Sequence, residues 1–443
     1  MMTDEYLERV VDLIPAEANR IYNMSVDEAR ARVLSNDPEQ VGEIRGSYAL
    51  LARDGKTVRM ARSLDRPVRY FLAKRQEGPA LIVAERIDAL YQWLKSEGLQ
   101  DQFHPSYTRM VPAHYVTEIH LVGCPDPDPV YNRFFDPERN ALPEDLDAIG
   151  KAYIGALAEE VACWLDHAVP EQEPVGVCFS GGIDSGAVFL VAYHVMRERG
   201  MNLSRLKAFT LDFGEAPDLS QAREFLQRLD LSLFLEPVPA DPSAIDLQDT
   251  VRTIEDYKLL DVECAAMGLA LLRGIRQRYP EWRYLLDGDG GDENLKDYPI
   301  EENPELTIRS VVNNLMLYQE GWGVGKFKHS QTYSGGLSRS YTRSYAPARR
   351  YGFESHSPFT SPGVVRVAEG IPFVPLTGYD VPRLYALKGE VVSRGIRQLT
   401  GMEFPVFEKR RFQHGAIALP GLRERLPVTE AECRRAFLDL YGV

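Results

Sequence analysis

Two short runs hold the residues best suited to chemistry. The first is SGGIDS, Ser180 to Ser185, set directly after the apolar run VGVCF and directly before GAVFLVAYHVM. Gly181 and Gly182 let a backbone come close to a ligand, and the first N–H groups of the following helix have no intrahelical partners. With the hydroxyls of Ser180 and Ser185 they make an anion cradle. Asp184 adds a carboxylate beside those phosphate-binding donors, which makes sense when a cation lies between, so Asp184 is assigned to Mg²⁺. The GK[ST] ending of a Walker loop is missing. The bland alternative is tight packing of a glycine-rich strand-to-helix turn.

The second run is DGDGGDE, which follows the apolar YLL and sets Asp287, Asp289, Asp292 and Glu293 around Gly288, Gly290 and Gly291. Four carboxylates this close repel one another unless cations or a basic substrate compensate them. Alone the run could be a solvated acidic turn. At the carboxyl edge of the sheet that carries the first run, where open α/β sheets bind ligands, it becomes the second half of a metal site.

The elements that must position these runs follow from the apolar pattern. From LDAIGKAYIGALAEEVACWLDHAV onward, helices alternate with short buried strands, VGVCF, LKAFTLDF and WRYLLDGDGG, and the helices AREFLQRLD and ECAAMGLALLRGIRQRY lie beside them. That alternation predicts a parallel sheet with crossover helices. The last third, from about Pro304, reads as mostly helical. It is interrupted by GVGKFKHSQTYSGGLSRSYTRSYAPARRYG, a basic, tyrosine-rich surface loop suited to receiving an anionic or large substrate. Before residue 140 the grammar differs. Asp4 to Arg20 has helical spacing at Leu7, Val10, Val11 and Leu13, a hairpin is predicted around Asp54 and Gly55, and GPALIVAERIDALYQWLKSEG gives a strand and a helix ending at Gly98. HYVTEIHLV follows as a strand, and the proline- and aspartate-rich GCPDPDPVYNRFFDPERNALPED marks a boundary.

Composition limits the function classes. At 443 residues, with 44% hydrophobic and 26% charged residues, the chain fits two globular domains. Acidic residues outnumber basic ones by 65 to 51, a formal charge of -14, which disfavours a dedicated nucleic-acid binder. Cys124, Cys163, Cys178, Cys264 and Cys433 form no CxxC pair, so neither a zinc site nor a disulfide framework is indicated. The charged, amphipathic start is no signal peptide, and no stretch of about 18 apolar residues predicts a membrane span. A cytoplasmic location is expected.

SGGIDS resembles the SGGxDS loop of ATP pyrophosphatases, which cleave ATP between the α- and β-phosphates. With GDGGDE, GFESHSPF at Gly352 to Phe359, FEKRRFQHG at Phe407 to Gly415, and TIEDY at Thr253 to Tyr257, the resemblance narrows. Residues from about 140 to 420 resemble the synthetase domain of asparagine synthetase and its β-lactam synthetase and lasso-peptide cyclase relatives. The resemblance implies Asp184 and Asp292 as Mg²⁺ ligands, and ATP against Ser180, Gly181, Gly182, Asp184, Ser185 and Gly288, with Lys388 as a further phosphate contact. It also implies Lys409 as the lysine that steadies the transition state. Asp289 stands where asparagine synthetases have an acid and β-lactam synthetases a catalytic tyrosine, which favours an external amine or ammonia. Glu354 matches the glutamate of the family's LExRxPF block, though Glu354 and Lys388 could equally be ordinary salt-bridge partners.

Two departures, His356 at the family's usual arginine and Val262 to Cys264 in place of an arginine-containing stretch, point to a changed acyl substrate. ARSLDRPVRYF, ALIVAERIDAL and VPAHYVTEI resemble the family's glutaminase half, yet Met2 and Thr3 stand where its nucleophilic cysteine is required, and a helix and SVDEARARVLSNDPEQ replace the strands that hold it.

The expected fold is therefore α/β: a doubly wound parallel sheet of the ATP-pyrophosphatase type over 141–443, with a smaller, degenerate N-terminal-nucleophile-like α+β domain over 1–140. The expected activity is an amide-forming synthetase, free of glutaminase activity, that adenylates a carboxylate, releases pyrophosphate and passes the acyl group to ammonia or an amine. A peptide or carrier-bound substrate and a homodimer stay open; nucleic acid and membrane are not expected partners. The alternatives are a nucleobase-adenylating tRNA-modifying enzyme, which would want catalytic cysteines or a basic surface, and a non-catalytic nucleotide-binding relative.

Overall fold

A computed structural model describes residues 8–121, 128–214, 217–298, 300–302, 307–313, 340–407 and 429–443. They divide into two compact units. The first takes in the described residues up to Asp136 together with Phe437–Val443, and the second those of Pro137–Leu317 and Arg339–Ala436.

In the first unit two four-stranded sheets face each other. One runs, in spatial order, Arg9–Asp12, Ala80–Ala84, Arg69–Ala73, Arg109–Met110; the other Val130–Arg133, Tyr115–His120, Thr57–Arg62, Ala49–Asp54. Val58, Met60 and Ile119 from one and Tyr70, Leu81 and Val83 from the other share a buried core. The alternate residues Leu50, Ala61 and Val116 turn outward to meet Ala29 and Val33 of the helix Val26–Ser35. That is the period of two that lets each strand serve two layers. The helix starts at a capping box in which Ser25 and Glu28 exchange hydrogen bonds. A second helix, Ile87–Ser96, packs on the strands Arg69–Ala73 and Ala80–Ala84.

The hairpin predicted around Asp54 and Gly55 is present as an antiparallel pair. Over residues 8–20, the described part of the predicted N-terminal helix, no α-helix is present. Arg9–Asp12 is a strand, paired in parallel with the fully buried Ala80–Ala84. Local helical spacing yields here to a tertiary partner that satisfies the backbone, with Val10 packed against the shared core. This strand also corrects the expectation that no strand occupies that region.

In the second unit the sheet has five strands: β1 (Val175–Cys178), β2 (Leu206–Asp212), β3 (Leu235–Pro239), β4 (Tyr284–Leu286) and β5 (Glu354–His356). All neighbours are parallel, in the order β3-β2-β1-β4-β5. The mixed α/β character and parallel sheet expected from the sequence are observed. β3 and β5 are additions. Both lie at edges, where the prolines Pro237 and Pro239 of β3 are tolerated because no inner ladder needs their missing N–H.

The helices that matter for the site are α1 (Leu146–His167), α2 (Ile183–Glu198), α3 (Pro217–Gln227), α4 (Leu247–Ile254), α5 (Leu259–Arg278) and α6 (Val381–Thr400). Tyr284 and Leu285, consecutive on β4, point to opposite faces of the sheet. Tyr284 meets Trp164 of α1, and Leu285 joins Ala266, Met267, Leu271 and Ile275 of α5. Helix α6 lies against α1 and α2. The crossing with α1 is close at Gly150, where a Cβ would sit 2.7 Å from the Val391 carbonyl oxygen and 2.8 Å from the Gly395 nitrogen. Among the described residues no helix is long and apolar enough to cross a membrane.

Candidate active site

The order of the sheet turns round between β1 and β4, and the two glycine-rich runs leave the carboxyl ends of these neighbouring strands. Such a reversal leaves a crevice between loops that depart to opposite sides. Ser180 to Gly182 turn the chain from β1 into α2. Gly181 has φ +73° and its Cα lies so near α3 that a Cβ would stand 2.9 Å from the backbone of Ala222. Ser180 Oγ accepts from the Gly182 N–H at 3.3 Å, Ser185 Oγ accepts from the Ser180 N–H at 3.2 Å, and the two hydroxyls are 3.2 Å apart. Both serines and the start of α2 are thereby held in one cradle, with Asp184 in the first turn.

The second run packs directly across the first. A Cβ on Gly288 would lie 2.8 Å from the Ser185 nitrogen, and one on Gly291 would lie 2.5 Å from Asp184 Cγ. Gly291–Asn294 then forms a single short helical turn that carries Asp292. Lys388, on the buried face of α6 and 2% exposed, joins the two runs. Its Nζ donates to Asp184 Oδ2 at 2.6 Å and to Asp292 Oδ1, and lies 3.5 Å from Asp297 Oδ2. Burial works against this ammonium, but the three carboxylates outweigh it and hold its pKa well above the ordinary lysine value. Lys388 thus touches the expected metal ligands, where the sequence reading put a phosphate contact.

Among the described residues no group of three or more His, Cys, Asp or Glu side chains is arranged to hold a metal ion. Two convergent carboxylates do suit Mg²⁺, which is bound through one or two carboxylates together with substrate phosphates and keeps several waters. The side-chain space that glycine at 291 leaves beside Asp184 adds to that fit.

A second group of acids lies on the β5 side. Asp287 is 4% exposed; its Oδ1 accepts from Ser357 Oγ at 2.7 Å and from the Asp289 N–H at 3.0 Å, while Oδ2 is buried without a hydrogen-bond partner among the described residues. Burial first, and the Asp289 charge second, push the Asp287 carboxyl well above the usual carboxylate range. Asp289 accepts from Ser344 Oγ. Burial raises its pKa to about 6, with Glu293 and Asp292 adding to the rise and Arg343 and Ser344 opposing it. Arg343, whose Nε is 3.4 Å from Asp261 Oδ1, sits in a π-helical turn, Tyr341–Tyr345, a local geometry found often at functional sites. Asn294 Nδ2 donates to the Phe359 carbonyl at 2.8 Å and so fastens the turn after Asp292 to the segment after β5.

The structure therefore gathers Ser180, Gly181, Gly182, Asp184, Ser185, Gly288, Asp289, Asp292 and Lys388 at the carboxyl ends of β1 and β4. It does not bring Glu354 there. Glu354 begins β5, in register with Tyr284 at the amino end of β4, and its carboxylate pairs with Arg283 at 3.4 Å. In a parallel sheet that is the edge away from the crevice, and Ser357 at the other end of β5 makes the contact to Asp287. His356, at the position of the family's usual arginine, stacks on Trp164 and lies 3.4 Å from Glu160. Lys409 lies outside the described residues, as do Cys124 and most of the tyrosine-rich loop.

Ser344, Arg343 and Ser357 were not singled out from sequence. A cavity of about 350 Å³ at the carboxyl end of β3, lined by Asp241, Asp246, Asp249, Arg273 and Gln277 among others, contains none of these residues. No curated protein matches the chain. Residues 160–373 match the family model described as asparagine synthase, a span that includes β1 to β5 and both glycine-rich runs while Lys388 and Lys409 lie beyond it, and this match supports an asparagine synthetase-like family with ATP-dependent ligase chemistry.

Proposed function

We propose that the second unit is an AMP-forming synthetase that adenylates a carboxylate and transfers the acyl group to ammonia or an amine, without drawing that ammonia from glutamine. The observation that carries this reading is the convergence of Asp184 and Asp292, from the ends of two adjacent strands, on one point beside the serine-lined start of α2. Phosphates held by Ser180, Ser185 and the α2 N–H groups would bring the nucleotide against those carboxylates. A Mg²⁺ between Asp184 and Asp292 would neutralise charge on the departing pyrophosphate.

A carboxylate oxygen of the acyl substrate attacks the α-phosphorus, the α–β phosphoanhydride breaks, and pyrophosphate leaves. The amine nitrogen then attacks the acyl carbon, the bond to AMP breaks, and the proton lost by the amine passes to Asp289. With a pKa of about 6, that carboxylate is charged at neutral pH yet basic enough to take a proton. Lys409 is retained from the sequence as the group that steadies the transition state. We place the topology with the doubly wound ATP pyrophosphatases, and the first unit, 1–140 in the sequence reading, with truncated glutaminase-like domains. Cys178 at the end of β1 counts against a thiolation chemistry, because burial and the nearby Asp287 and Asp289 push its thiol far up and disfavour the thiolate.

The test is exchange of labelled pyrophosphate into ATP, with Mg²⁺, across a panel of small acids that includes aspartate. Exchange stimulated by one acid and absent in Asp184→Ala supports the reading and names the acyl substrate. ATP binding without exchange for any acid or cell extract would refute it.

A further inference from the structure

The Lys388 ammonium sits at the point on which the two metal-suited carboxylates converge, not beside it. It reaches that point from α6, a helix sequence-distant from both glycine-rich runs, through a fully buried stem. The backbone supporting it is tightly set, since α6 and α1 cross in close contact at Gly150 and Gly395. A divalent ion seeking the same oxygens must compete with this ammonium. Free Mg²⁺ offers only its own charge in that contest, whereas a Mg²⁺–nucleotide complex also offers phosphate oxygens on which a displaced ammonium can settle.

We propose that Lys388 is a resident counter-ion that keeps Asp184 and Asp292 aligned and admits the metal only together with a polyphosphate. It acts through those carboxylates and is in that sense a positioning residue. The proposal rests on the reading of Asp184 and Asp292 as the metal-holding pair. It separates two properties that a simple metal site would join: weak affinity for the bare ion, and strong affinity for the ion with nucleotide.

The experiment is Mn²⁺ binding, followed by electron paramagnetic resonance of the free ion, with no nucleotide present. Lys388→Met should bind Mn²⁺ at least tenfold more tightly than the wild type, Lys388→Arg should resemble the wild type, and Asp184→Asn combined with Lys388→Met should lose the gain. Thermal unfolding gives a second reading, because Mn²⁺ should raise the melting temperature of Lys388→Met more than that of the wild type. If Lys388→Met does not fold, the double variant Lys388→Gln, Asp297→Asn removes one buried carboxylate with the ammonium and carries the same expectation.

Equal Mn²⁺ affinities in the wild type and the folded variant would overturn the proposal, as would a gain that survives Asp184→Asn. Neither outcome depends on exchange activity. A protein that shows the Mn²⁺ contrast but no pyrophosphate exchange would sink the ligase reading and leave the counter-ion role standing.

Discussion

Gly291→Ala separates the position of Asp184, the carboxylate proposed to hold the metal, from the stability of the fold. A Cβ at residue 291 would stand 2.5 Å from Asp184 Cγ, and ordinary contact begins at 3.4 Å, so the carboxylate carbon must retreat by about 0.9 Å. Asp184 is a short side chain at the start of α2 and can yield by rotating about χ1, at a cost of roughly 0.5–1.5 kcal/mol for an off-rotamer angle. Some of its 2.6 Å bond to Lys388 would be lost as well, worth roughly 1.5–3 kcal/mol for a hydrogen bond to a charged group. Replacing glycine by alanine in a helical turn returns about 1 kcal/mol. The net loss of stability should therefore be about 1–3 kcal/mol, read from urea unfolding. Function should suffer far more, because a 1 Å misplacement of a positioning group costs about 10²-fold in rate. Pyrophosphate exchange should fall by about that factor while the variant stays folded. Exchange within threefold of the wild type would refute the argument that the second run fixes Asp184. So would a loss of fold that tracks the loss of exchange.

Three further outcomes are expected. Asp289→Asn should slow amide formation by about 10²–10⁴-fold, the range for a lost general base, and leave pyrophosphate exchange largely intact; in the wild type, single-turnover transfer should fall off below a pH of about 6. Because that carboxyl is raised in the folded state, its contribution to stability is present below its unfolded value of 3.8 and is lost as the pH rises through about 6; the variant should gain on the wild type across that window in urea titrations. Lys388→Met should be destabilised by roughly 3–5 kcal/mol, as expected when one partner of a buried ionic cluster is removed. The Lys388 pKa is raised, so its stabilisation is full below 10.5 and fades only at higher pH, and the deficit measured by urea unfolding should stay flat from neutral pH to that point. Gly150→Ala must push α1 away from the backbone of α6 at Val391 and Gly395, costing about 1–3 kcal/mol by overpacking, and calorimetry should show a lower melting temperature.

What the sequence made legible was chemistry confined to contiguous residues. SGGIDS and DGDGGDE each follow an apolar strand, so type, spacing and context stand in one window, and Asp184, Ser185 and Asp292 fall where that window predicts. Groups assembled by tertiary folding were harder. Ser344, Arg343 and Ser357 are short or ordinary polar residues far from both runs, and nothing local marks the hydrogen bonds that Ser344 gives to Asp289, Ser357 to Asp287 and Arg343 to Asp261. Lys388 did leave a signal. On α6 the buried positions Leu384, Leu387, Val391, Val392 and Ile396 form a helical stripe, and Lys388 stands within it, where an unpaired ammonium would be prohibitive. Glu354 is the opposite case: a motif match gives its identity without the register of β5, and register, which decides the edge of the sheet a side chain reaches, sets it at the amino end.

The charges of the site constrain the order in which its ligands can enter. Asp184, Asp292 and Asp297 surround one ammonium, so this corner carries more carboxylate than cation before any phosphate arrives. A bare polyphosphate would add negative charge to that corner and be repelled, whatever the α2 N–H groups offer. A polyphosphate carrying its own divalent ion brings the missing positive charge with it, and frees the ammonium to follow the phosphates. The acids on the β5 side face a different demand. Burial, with the Asp289 charge, raises the Asp287 carboxyl well above the usual range, and Asp289 titrates near 6, so this side can take a proton without a metal. On the proposed reading, one sheet edge thus offers a charged corner for a metal–phosphate complex and an acid pair for proton transfer, with Gly288 and Gly291 packed closely against Asp184 and Gly290 against Phe359 and Thr360.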